Sequence, residues 1–140
     1  MPLNFRIAAA VSVLAILCSA PASATDAAGA QACHLTGVIN LMGVSEVMDD
    51  CIENAGVSQA QFRTACESHF DGAKDLARQV GGSVSNDRLA WLPRCPAPSQ
   101  GQCSGFGGVP ITVHYYSRPG DELARLPEGC AALGGRYSSS

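Results

Sequence analysis

Lysine is almost missing from this chain: Lys74 is the single one in 140 residues. The remaining positive side chains are arginines scattered from Arg6 to Arg136, with no basic cluster. A nucleic-acid partner needs concentrated positive charge to displace the phosphate counterions, so that class is excluded. No C-x-x-C pair occurs, which removes the commonest zinc and thiol-redox signatures. The glycine-rich stretch Ser104–Gly108 has no lysine after it and so is a turn, not a phosphate loop. No dense alternation of oxygen ligands marks a calcium loop. No metal or cofactor is therefore expected. Only three histidines are available for acid–base work, and no apolar run beyond the first 20 residues approaches membrane length.

What is present begins with a leader. Arg6 gives a positive start, Ile7–Ala20 is apolar, Pro21 breaks the run, and Ala22-Ser23-Ala24 fits a cleavage site. This reads as a secretory signal peptide over residues 1–24. Cys18 is preceded by Leu17, not by the small residue that lipidation favours. Cleavage near Ala24 leaves 116 residues, one small domain, with eight basic and twelve acidic side chains. The expected product is soluble and periplasmic or secreted.

Cysteine carries the most information. Cys33, Cys51, Cys66, Cys95, Cys103 and Cys130 remain after cleavage. An even count in an exported chain implies three disulfides, and six cysteines permit 15 connectivities.

The pattern along the chain predicts an α+β domain. Residues 25–34 are small and polar, a flexible lead-in to a domain over 35–140. Within 35–54, Leu35, Val38, Ile39, Met42, Val47, Met48, Cys51 and Ile52 favour a helix flawed at Gly43, although the Val and Ile content leaves a strand open. Ser58 and Gln61 form a capping box opening a helix over 58–80. Its stripe runs Phe62, Cys66, His69, Phe70, Ala73, Leu76, Ala77 and Val80, and Gly81-Gly82 ends it. "SVSND" reads as a loop, followed by a short strand with Leu89 and Trp91 on one side. In "VPITVHYYSR", Ile111, Val113 and Tyr115 face one way, and Thr112, His114 and Tyr116 the other. A second helical stretch covers 121–133, kinked or restarted at Pro127. Gly134-Gly135 then reverses the chain so that Arg136-Tyr137 adds a last strand, with Cys130 anchoring the helix to the sheet. These two main helices should pack on a small, mostly antiparallel sheet.

"CIENAGVSQAQFRTAC", "CP…GQC", "ITVHYYS" and "CAALGGRY" together resemble a small cysteine-rich module of exported bacterial proteins and lipoproteins. The resemblance covers about residues 51–137 and implies no known activity. It departs from the module after Cys66, where Glu67-Ser68-His69-Phe70 stand in place of an early Gly-Gly. The pairing expected is Cys103–Cys130, Cys66–Cys95 and Cys33–Cys51. Each closes a loop of about 18–30 residues, and each contributes about 3 kcal/mol through loop entropy.

Function is held between two classes. No set of acid, base and nucleophile assembles, which favours a non-catalytic module, structural or binding another exported protein or envelope component. Its candidate binding surface is His114, Tyr116 and Arg118, at two-residue spacing along one strand. The alternative is a small secreted hydrolase using Asp49, Asp50 and Glu53. A Cys66–His69 nucleophile pair would need a free thiol, against the even cysteine count.

Overall fold

The computed structural model describes residues 29–140, so the leader read over residues 1–24 lies outside them. Residues 32–54 are not a helix. They form a hairpin of β1 (Ala32–Leu41) and β2 (Val44–Asn54), paired antiparallel from Ala32↔Glu53 to Leu41↔Val44. Gly43 is the second residue of a two-residue turn: Met42 and Gly43 have φ of 46° and 84°. Two successive positive φ values suit the primed turns that match strand twist. The helical spacing was accidental. Val38 and Val47 pair on the second sheet face while Leu35, Met48 and Ile52 are buried on the first, so apolar residues fall on both sides of the hairpin.

The lead-in also ends earlier than expected. Ala30, Ala32 and Cys33 are fully buried, and the sheet starts at Ala32.

The capping box is present as read: Ser58 Oγ accepts from the Gln61 N–H, and the Gln61 side chain accepts from the Ser58 N–H. It opens α1 (Gln59–Gln79), which buries Phe62, Cys66, Phe70 and Ala77. Leu76 and Val80 depart from the expected stripe and stay exposed. At the helix end a Cβ on Gly82 would collide with the Asn40 carbonyl and the Leu41 side chain, so the chain passes β1 only with glycine there.

β3 (Ser83–Leu92) is longer than expected, taking in "SVSND". Asn86, at φ 52°, sits where the register against β1 shifts between Thr36 and Val38. An extra residue absorbed in this way keeps Leu89 and Trp91 on the core side. β4 (Gly101–Ser104) leads through a 3-10 turn at Phe106–Gly108 into β5 (Ile111–Tyr115). Ile111, Val113 and Tyr115 are buried as the alternation requires. The last helical stretch is two pieces, α2 (Gly120–Leu123) and α3 (Leu126–Ala132), with Pro127 in the opening turn of the second. Proline is tolerated there because that N–H would have no helical partner. β6 (Arg136–Ser139) closes the sheet against β4.

All pairings are antiparallel, in the order β3-β1-β2-β5-β4-β6. The helices cover one face, where Leu35, Ile52, Phe62, Val113 and two disulfides form the main core. No described helix is long and apolar enough to cross a membrane.

The disulfides are Cys33–Cys66, Cys51–Cys95 and Cys103–Cys130. The last is as expected; the other two correct the pairings Cys66–Cys95 and Cys33–Cys51. Once 32–54 is a hairpin, alternation decides the matter. Cys33 points to the helix face and meets Cys66, while Cys51 points to the other face and meets Cys95. Gly135 completes the third: a Cβ there would stand 2.6 Å from Cys103 Sγ and 2.9 Å from Cys130 Sγ.

Candidate functional site

Two polar clusters flank β2 and β5, one on each face of the sheet. On the helix-covered face, Asp50 lies opposite Tyr115, and its side chain is only 6% exposed. Arg118 closes over it. Gln100 fixes the Arg118 backbone, accepting from its N–H at 2.7 Å and donating to its carbonyl at 3.2 Å. The guanidinium Nη2 donates to Asp50 Oδ2, Nη1 lies 3.7 Å from Glu122 Oε2, and Cζ sits 5.4 Å from the Tyr115 ring centre. Among the described residues, Asp50 Oδ1 and Arg118 Nε find no partner. Burial outweighs the attraction of Arg118 and pushes the Asp50 carboxyl up to about 6. Burial likewise raises the Tyr115 phenol to about 12. It also lowers His69, helped by the Arg118 charge, which favours the neutral imidazole. His69 packs edge-on to Phe106. Cys66, one turn away, is tied to Cys33 as the even cysteine count implied, so it is not a free thiol beside this imidazole.

Over this cluster opens a cleft of about 340 Å³. Phe106, Tyr115, Leu126 and Leu133 form apolar walls, and Arg118, Arg125 and Glu122 supply charge. A groove of about 460 Å³ at the start of α1 is lined by residues such as Val57, Ala60 and Val109, with no ionisable side chain to orient a ligand.

No described helix covers the second face. Instead the 93–100 loop crosses it, held by Cys51–Cys95, with Ala32 and Cys51 buried beneath and Leu92 and Tyr116 packed alongside. His34 Nε2 lies 2.6 Å from Asp49 Oδ1, and the Ser117 hydroxyl donates to Asp49 Oδ2 at 3.1 Å. Serine and histidine both engage the carboxylate and not each other, so the imidazole is not placed to take the serine proton. Tyr116 stacks at a tilt 5.7 Å from His34 and donates its hydroxyl to the Pro96 carbonyl. Burial, and the nearby carboxylates behind it, hold this phenol at about 12. Glu53 Oε2 accepts from the Cys95 N–H at 3.0 Å and lies 3.8 Å from His114 Nε2. Burial lowers His114 against the raising effect of Glu53.

His114, Tyr116 and Arg118 therefore do not share one surface. The strand ends at Tyr115. His114 and Tyr116 belong to the uncovered face, while Arg118 turns to the covered one and pairs with Asp50. Asp49 and Asp50 likewise separate, as adjacent strand residues must, and Glu53 joins Asp49's side. Sequence reasoning missed His34, Gln100 and Glu122. The period of two placed His34 on the outer face only once β1 was known to be a strand, and Gln100 reaches Arg118 across a loop with no sequence signal. Comparison with protein-family models, curated proteins and solved structures finds nothing that matches this chain.

Proposed function

We propose that the chain is a non-catalytic, exported binding module, periplasmic or secreted, whose ligand seat is the cleft over Arg118. The observation that carries this reading is the cleft itself, with apolar walls from Phe106, Leu126 and Leu133 around a guanidinium fixed from behind. Small-ligand sites have this composition: a mostly apolar surface with a few positioned polar groups. The matching ligand has an apolar body and one acidic group facing Arg118. Export is supported by the leader-like first 24 residues, by six cysteines joined in three disulfides, and by the resemblance to exported cysteine-rich modules. The hydrolase alternative is not favoured: β2 sends Asp49 and Asp50 to opposite faces, and Glu53, on Asp49's side, accepts from the Cys95 N–H while Asp49 is held by His34 and Ser117.

Anilinonaphthalene sulfonate, an apolar aryl sulfonate, is a suitable probe. It should bind saturably, one per chain, with enhanced fluorescence. Phe106→Ala and Leu126→Asp should abolish the signal, and Tyr116→Ala on the other face should not change it. Non-saturable binding, or saturable binding indifferent to Phe106 and Leu126, removes the cleft as a ligand seat.

A further inference from the structure

The uncovered face holds a constellation that goes beyond the cleft. Cys51 on β2 lies directly opposite His114 on β5. Its disulfide partner Cys95 donates its backbone N–H to Glu53, and Glu53 lies 3.8 Å from the His114 imidazole. Ligand atoms of Glu53, Cys95 and His114 all fall within 4.8 Å of one another. Three side chains, Cys95, His114 and Glu53, thus converge on one point, and Cys51 is bonded to Cys95 at its edge. In a tetrahedral zinc site with bonds of about 2.0–2.3 Å, neighbouring ligand atoms stand about 3.3–3.8 Å apart. While the disulfide is closed, neither sulfur is a thiolate, and a thiolate is the form that binds metal.

Access to the disulfide is one-sided. Cys33, Cys51, Cys66 and Cys103 are fully buried, and Cys130, at the foot of the cleft over Arg118, is 4% exposed. Cys95 is 7% exposed, beside a depression lined by Leu92, Arg94, Pro96 and Ala97. An incoming thiolate reaches Cys95 Sγ from there, and the adjacent Arg94 cation favours an anionic attacker.

We propose that the Cys51–Cys95 disulfide is the closed form of a redox-gated zinc site, in which the two released thiolates, the His114 imidazole and the Glu53 carboxylate hold one Zn²⁺. Opening takes a dithiol reductant. Its first thiolate attacks Cys95 Sγ, the Cys51–Cys95 bond breaks, and Cys51 leaves as a thiolate. Its second thiolate then attacks the mixed disulfide, the reductant becomes its own disulfide, and Cys95 leaves as a thiolate. Two electrons pass to the protein, and the two protons of the dithiol go to the new thiolates or, when zinc takes their place, to water. The ion then replaces the sulfur–sulfur bond as the tie holding the 93–100 loop to the sheet.

The test uses the intact protein, titrated anaerobically with one equivalent of dithiothreitol. Alkylation and mass spectrometry should find Cys51 and Cys95 labelled, with the other four cysteines still paired. This reduced form should take up one Co²⁺ per chain with the visible bands of a tetrahedral sulfur-ligated ion, and one Zn²⁺ in competition with a chromogenic chelator. The oxidised form should take up neither. His114→Ala and Glu53→Gln should each weaken zinc by about tenfold or more. Thr36→Ala, on the same face but outside the cluster, should stay within about twofold. Because these variants keep all six cysteines, the comparison stands even if Cys51→Ser fails to fold. First opening of another disulfide, equal metal uptake by the oxidised protein, or zinc affinity indifferent to His114→Ala each overturns the proposal.

Discussion

The two faces of one sheet have been built by different means. The helix-covered face is a packed apolar layer holding the Asp50–Arg118 ion pair, and two disulfides join it to α1 and α3. The other face carries histidine–carboxylate pairs in partial contact with water, and one disulfide ties a loop across it. The same strands supply both, so the contrast isolates what burial does to a charge. On the covered face, desolvation lifts Asp50 toward neutrality although an arginine touches it. On the open face, water screens His34–Asp49, and such pairs contribute little.

The strongest way to break the contrast is Arg118→Ala. It leaves Asp50 buried without its counter-charge, and loss of one partner of a buried pair costs about 3–5 kcal/mol. Chemical denaturation at pH 7 should show that loss. The loss should shrink near pH 4, where Asp50 is protonated and has no charge to compensate. A result under about 1 kcal/mol at pH 7 would place Asp50 in effective contact with water.

The next effect follows from linkage. Asp50 holds its proton more tightly folded, at about 6, than at the ordinary 3.8. The folded chain therefore binds more protons than the unfolded one between those values. This contribution to stability is complete below about pH 4 and is lost as pH rises through 6, by at most about 3 kcal/mol. Denaturation midpoints measured from pH 4 to 7 should fall by this component, and Asp50→Asn should flatten it. An unaltered slope in Asp50→Asn would assign the dependence to another group.

Gly135→Ala sharpens the packing side of the comparison. Its Cβ would press on both sulfurs of Cys103–Cys130. Overpacking of this kind costs about 1–3 kcal/mol. Thermal melts should show that loss, whereas Gly129→Ala, where a Cβ meets nothing, should show none.

The smallest effect belongs to the open face. His34→Ala removes a partly exposed pair with Asp49 and should cost about 0–1 kcal/mol, less in high salt. A loss as large as that of Arg118→Ala would erase the distinction between the faces.

Legibility varied along the chain for identifiable reasons. α1 was readable because its cap is local: Ser58 and Gln61 satisfy each other within four residues. β5 was readable because Ile111, Val113 and Tyr115 alternate cleanly with polar neighbours. The hairpin was not, because Asp50 occupies a core position while Val38 and Val47 occupy outer ones. That inversion of the usual alternation made two strands resemble one helix face. The candidate binding trio failed for a related reason. Two-residue spacing keeps side chains together only while the strand lasts, and it ends before Arg118.

The sequence by itself determined the cysteine count, which is read directly, and the capped helix, the central strand and the glycine-ended final helix, because those three follow patterns among residues close along the chain. Only the tertiary structure decided which cysteines pair, that Asp49 and Asp50 part to opposite faces, that Arg118 closes on Asp50, and that Cys95 reaches Glu53 and His114. Those outcomes depend on strand register, and a shift of one residue sends every side chain to the other face. Register is set by the whole sheet together, through contacts between residues tens of positions apart.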